Sequence, residues 1–203
     1  MSKAVLISIR PKWVEKIVSG EKAIEVRKTK PKLDTPFKCY IYCTRDKHLA
    51  FMQNQTGTNL IACMDVDAAI PVGGAMGNGK VIGEFTCERI VPITYDGGRL
   101  WCPTNAAFSP ATCLSQAEII AYIGDKGRCY GWHISDLRIY DTPRDLGEFW
   151  RDCLEYSELS TNCWSCENVC GDGDETDCNT DGRLYLHRPP QSWCYVEVLK
   201  DAK

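Results

Sequence analysis

Apolar positions recur along this chain in two rhythms, and the alternation between them sketches its elements. Residues 4–9 (Ala-Val-Leu-Ile-Ser-Ile) are almost continuously apolar and predict a short strand. Pro11 then suits the first turn of a helix in which Trp13, Val14 and Ile17 repeat at helical spacing, and Ser19-Gly20 ends it. From Lys22 to Arg27 the period drops to two. Ile24 and Val26 turn to the core, Glu25 and Arg27 share the opposite face, and Lys22 stands at the mouth of the strand. Further strands are predicted over 37–44, over 80–93 with a bend at Pro92, over 131–140 and over 192–199. A second helix is predicted over 110–123, with Leu114, Ala117, Ile120 and Ala121 on one stripe, and a third through Leu146, Phe149 and Trp150. The polar, glycine-rich stretch 52–79 predicts a long loop with a short embedded helix.

Several strands with two or three helices, and no strand–helix–strand rhythm, predict an α+β, mainly β fold: a small barrel with flanking helices. The 203 residues fit a single domain spanning 1–203, long enough to bury a core without staples. Residues 157–187 break the pattern. They are acidic, Cys-rich and poor in β-branched residues, and predict an insertion before the last strand. No run approaches the roughly 18 apolar residues of a membrane span, and the apolar stretch before Arg10 is too short for a secretory signal. A soluble, cytoplasmic protein without a membrane partner is the expectation.

Charge changes the picture. The net charge is −3, yet residues 1–50 hold 12 Lys and Arg against 5 Asp and Glu, and the rest of the chain is acidic. Bulk charge excludes a protein that coats DNA, but a clustered basic face remains compatible with a polyanionic ligand.

Thirteen cysteines are many for a chain of this size. Those scattered singly among β-type residues read as small core hydrophobes. Cys163, Cys166, Cys170 and Cys178 gather four thiols in a segment with few apolar anchors. Four thiolates satisfy Zn²⁺, whose binding supplies folding free energy that burial there does not. A structural zinc is the expectation; disulfides and free thiols are the alternatives.

The most chemically suggestive stretch is 20–28, where an ammonium (Lys22), a carboxylate (Glu25) and a guanidinium (Arg27) follow a turn. Fixed on rigid backbone, such groups can read a base edge and a phosphate; an ordinary strand face with local ion pairing is the plainer reading. Trp132-His133 offers stacking beside a hydrogen-bonding imidazole, against the alternative of a structural histidine. The run 73–79 lacks the ending of a phosphate-binding loop and reads as a simple loop.

Residues 6–13 with Leu6, Ser8, Ile9, Arg10, Pro11, Lys12 and Trp13, followed by Ile17, Gly20, Lys22, Glu25 and Arg27, resemble the opening of ASCH domains, relatives of the PUA domain. Tyr40–Thr44, 79–85, 130–135 and 188–196 continue the resemblance, which spans nearly all of the chain outside 157–187. It implies a β-barrel with helices across its openings, a cleft beneath the first helix, and a role with RNA or modified nucleosides. Some small ASCH proteins remove an acyl group from N4-acylated cytidine with a lysine, a threonine and a glutamate. Lys22 matches the lysine, Glu25 stands where the threonine would be, and Glu84 is the counterpart of the glutamate. A carboxylate in the threonine's place would have to activate water while Lys22 stabilises the oxyanion.

The sequence thus predicts a nucleic-acid-binding module that holds a base of RNA, or of a modified nucleoside or nucleotide, in a cleft. Its ligand-binding candidates are Lys12, Trp13, Lys22, Glu25, Arg27, Trp132 and His133, with Lys28, Lys30 and Lys32 adding phosphate attraction. One alternative is an amidohydrolase acting through Lys22, Glu25 and Glu84. Another is an adaptor that binds a protein partner through the Cys-rich insertion.

Overall fold

A computed structural model of the chain describes residues 2–53, 60–63, 75–104, 110–152 and 183–199. The main sheet has the order β12-β1-β3-β7-β9-β2, with β8 (Arg99–Trp101) hydrogen-bonded to β7 outside that path. Its strands are β1 (Lys3–Ile9), β2 (Ile24–Arg27), β3 (Phe37–Cys43), β7 (Val81–Asp96), β9 (Arg128–Arg144) and β12 (Trp193–Glu197). Only β1 and β3 run parallel. Helix α1 (Pro11–Val18) follows β1 directly, and α2 (Gln116–Ile123) precedes β9.

The near-continuous apolar run of β1 is explained by burial on both faces. Val5, Ile7 and Ile9 join one core with Cys39, Ile41, Phe85 and Trp132, closed at one end by Val14 and Ile17 of α1. Ala4 and Leu6 face the opposite way, into a cluster with Tyr40, Tyr42, Val81, Phe149 and Val196. A third cluster lies under α2, where Ile119 and Ile123 cover Ile24, Val26, Val91, Ile93 and Cys129. The long strands β7 and β9 serve all three of these cores. Their ladder shifts register between Val81 and Gly83, between Glu84 and Thr86 and between Cys87 and Ile90, which bends the sheet from one core to the next.

The two helices begin differently. Pro11 opens α1 with its fixed φ, and Gly20 after it turns at φ +79°. Ser115 caps α2 and exchanges hydrogen bonds with Glu118, a reciprocal capping box. The predicted helix over 110–123 therefore splits into a 3-10 turn (Pro110–Thr112) and a shorter α2.

Three expectations change. The sheet does not close into a barrel, because the hydrogen-bonded path ends at β12 on one side and at the four-residue β2 on the other. The expected helix near Phe149 is a 3-10 turn (Leu146–Glu148) running into β10 (Trp150–Asp152), which pairs β11 (Arg183–Tyr185). Within 52–79, the described residues 52–53, 60–63 and 75–76 form strands in place of the expected loop, and 77–79 form a turn: β4 (Ala50–Gln53) pairs β5 (Leu60–Cys63) and β6 (Ala75–Met76). The zinc candidates Cys163, Cys166, Cys170 and Cys178 lie outside the described residues.

Gly83 sits at the first register shift, where an added Cβ would come within 2.4 Å of the Arg138 carbonyl oxygen. Gly83→Ala is expected to destabilise the fold by about 2 kcal/mol, the scale of core overpacking. Gly147, whose Cβ would meet nothing within 4 Å, is the control. Equal thermal midpoints for Gly83→Ala and Gly147→Ala would contradict this packing.

Candidate functional site

Where the sheet fails to close, it leaves a cleft of about 1180 Å³. One wall is β2. The other is the end of β1 and the segment 189–192, which is held to β1 by Ser8 N–H donating to the Ser192 carbonyl (2.9 Å) and the Ser8 hydroxyl donating to the Pro190 carbonyl (2.6 Å). Trp13 and Lys12 come from α1, Glu118 and Tyr122 from α2, and Tyr42 and Arg45 from the end of β3 and the residues after it.

Lys22, Glu25 and Arg27 line this cleft together while being only 2, 6 and 8% exposed. Lys22 Nζ donates to the carbonyls of Ile24 (2.9 Å) and Thr112 (2.7 Å) and lies 3.3 Å from Glu25 Oε2. The other carboxylate oxygen of Glu25 meets Arg27 Nε at 3.0 Å in an ion pair. Arg27 reaches across the seam, donating from Nη2 to the Ser8 carbonyl (2.5 Å) and from Nη1 to the Ser192 hydroxyl (3.5 Å). Isolated ions in such a place would carry a large desolvation cost; a cation–anion–cation chain tied to backbone carbonyls offsets it and leaves one net positive charge at the cleft floor.

Trp13 forms an aromatic edge to the site. Its ring has Lys12 Nζ 4.3 Å from its centroid and Lys22 Nζ at 5.2 Å, distances at which a cation is drawn to the ring face. Arg10 and Arg45 add positive charge to the walls, and Glu118, Asp145 and Glu25 supply the carboxylates. Hydrogen bonds from the Ser115 backbone N–H and hydroxyl hold the Glu118 carboxyl below its usual range. Burial pushes the phenols of Tyr42 and Tyr122 up, so both stay neutral and able to donate.

Of the residues singled out from the sequence, Lys12, Trp13, Lys22, Glu25 and Arg27 meet at the cleft, and Trp132, His133 and Glu84 are not among its lining residues. Trp132 is wholly buried in the core against Phe37 and Trp193. His133 pairs with Ile24 across β9 and β2, on the face opposite to that of Glu25 and Trp132; burial, then Arg89, lowers its basicity. Glu84 is bound elsewhere, by Lys38 Nζ (2.9 Å) and the Tyr140 hydroxyl (2.8 Å). Lys28 and Lys30 line a separate depression.

The sequence reading missed Tyr42, Arg45, Glu118, Tyr122 and the segment 189–192. Glu118 and Tyr122 did carry a signal, standing four residues apart on α2 while Ile119 and Ile123 take the buried positions. Tyr42 and Arg45 reach the cleft only through the pairing of β3 with β1, which no local pattern encodes. Among the described residues no cluster of His, Cys, Asp and Glu could hold a metal ion, and no helix is long and apolar enough to cross a membrane.

Glu25→Ala leaves two buried cations without their shared anion and is expected to cost about 3–5 kcal/mol of folding stability. Glu21→Ala, which breaks the exposed Lys16–Glu21 pair, is expected to leave the midpoint unmoved. Denaturant unfolding of the two variants decides: equal midpoints would mean that the buried chain of charges contributes nothing.

No protein-family model and no curated protein matches the chain. Solved structures do. A single-substitution variant of ASCH from Zymomonas mobilis is 18% identical, covers 96% of this chain and 88% of its own, and superposes with a TM-score of 0.50. ASCH from Zymomonas mobilis is also similar, at 20% identity over 70% of this chain and 73% of that one, with a TM-score of 0.45. At such identities the likeness speaks for architecture alone, and on that footing the chain has the ASCH fold.

Proposed function

We propose that the chain is a nucleic-acid-binding module whose cleft takes a base of single-stranded RNA or of a modified nucleoside. The observation that carries this reading is the meeting of Trp13 with Lys12, Lys22, Glu25 and Arg27 in one cleft. An aromatic ring offers stacking to any base, and the surrounding cations attract the phosphates on either side of it. The ASCH fold and the sequence resemblance support the same class of ligand. Arg27, fixed on both sides of the seam, gives the site a preformed floor, so little ordering is required on binding.

The amidohydrolase reading draws on one observation, the Lys22–Glu25 contact of 3.3 Å inside the cleft. Against it, two hydrogens of the Lys22 ammonium are already donated to the Ile24 and Thr112 carbonyls, and its charge is shared in an ion pair with Glu25, which weakens it as a partner for an oxyanion. Glu84, tied to Lys38 and Tyr140, is not at hand to replace it. The role of an adaptor using 157–187 concerns a segment of which 157–182 lie outside the described residues, and the structural zinc proposed for Cys163, Cys166, Cys170 and Cys178 is tested by elemental analysis of the reduced protein.

Trp13→Ala is expected to weaken binding of a short single-stranded RNA by about 1–3 kcal/mol, the range for loss of one stacking partner. N4-acetylcytidine incubated with the protein is expected to keep its mass. An unaltered RNA affinity in Trp13→Ala by titration calorimetry would refute the stacking role. Deacetylation abolished by Lys22→Ala would move the protein into the hydrolase class.

A further inference from the structure

Beside the cleft lies a second depression that the base-binding reading does not use. It is lined by Lys28, Thr29, Lys30, Lys126, Arg128 and Tyr130. Four cations meet there with no carboxylate among the lining residues, and all four side chains are exposed. None of the four pairs with an acidic side chain of the described residues. Such a concentration of positive charge on a chain of net charge −3 raises the local concentration of anions there.

The two depressions adjoin through two contacts. Arg27, on the cleft floor, is the cross-strand partner of Tyr130, which lines the second depression. Tyr122, on the cleft wall, lies under the Lys28 ammonium, 5.1 Å from its ring centroid. Lys30 in turn stands 6.0 Å from the Tyr130 ring. Three cation–ring pairs, Lys22 with Trp13, Lys28 with Tyr122 and Lys30 with Tyr130, thus run from the cleft to the second depression. That pairing suits a strand of nucleotides, which carries a charged backbone and flat bases. The cleft alone, at about 1180 Å³, also exceeds the roughly 300–1,000 Å³ of a pocket for one small molecule.

We infer that the ligand is a polynucleotide rather than a free nucleoside. Its backbone runs from the cleft over β2 and the start of β9, with consecutive phosphates held by Lys28, Lys30, Lys126 and Arg128. This rests on the base-binding reading of the cleft for the position of the first nucleotide.

The test compares the full chain with Lys28→Gln/Lys30→Gln/Arg128→Gln. The probes are a fluorescent single-stranded RNA of about ten nucleotides, within the usual span of a single-strand-binding module, and cytidine monophosphate. The triple variant is expected to bind the RNA at least about tenfold more weakly at low salt. Its plot of log affinity against log salt should flatten by about 2, three contacts at roughly 0.7 each. Cytidine monophosphate affinity and the thermal midpoint should stay as in the parent, since all three side chains are exposed. Unchanged RNA affinity and salt slope would overturn the inference, and so would a polyglutamate peptide that displaces the RNA as well as unlabelled RNA does. RNA binding that depends on the three cations, without measurable cytidine monophosphate binding, would uphold the track while refuting the base pocket.

Discussion

The chain of three buried charges, Lys22–Glu25–Arg27, is the interaction around which the molecule is arranged. Two cations sharing one carboxylate cannot simply be placed in a core; each needs its remaining donors met by oxygen. The fold supplies those oxygens from separate parts of the sequence. Thr112 comes from the turn before α2, Ser8 from β1 and Ser192 from the approach to β12. The contacts of Lys22, just before β2, and of Arg27, on it, thereby tie the turn before α2, the end of β1 and the approach to β12 to one place.

The same group of charges stands where the sheet stays open. Between β2 and the end of β1, the contact is made by a guanidinium rather than by a backbone ladder. A side chain of that length holds the two edges apart, and the space between them is the cleft. Incomplete closure and the site are thus one feature. Arg10, Lys12, Lys22, Arg27 and Arg45 outnumber Glu25, Glu118 and Asp145 among the residues that line it.

Much of this was legible in the sequence because it rested on local periodicity. The two-residue rhythm of Ile24-Glu25-Val26-Arg27 correctly separated the apolar pair under α2 from the charged pair on the other face, and Pro11 marked the start of α1. What was not legible depended on distance. Trp132 reads from sequence like an aromatic next to a histidine, yet its face of β9 turns to the core while His133 turns the other way. Glu84 reads like a free carboxylate until the pairing of β3 with β7 and of β7 with β9 brings Lys38 and Tyr140 to it. The stretch 50–53 carries too short an apolar run to announce a strand without its partners β5 and β6.

Strands β7 and β9 contribute to all three cores, and the cleft draws lining residues from each of them. No core can therefore come apart while the others persist, since all would have to give up the same pair of strands. A guest that bound only the folded chain would be linked to that whole body, stabilising α1 and α2 alike by an amount that grows with the logarithm of its concentration above its Kd. The molecule would register occupancy as a single, global tightening, felt as far away as the hairpin of β7 and β8.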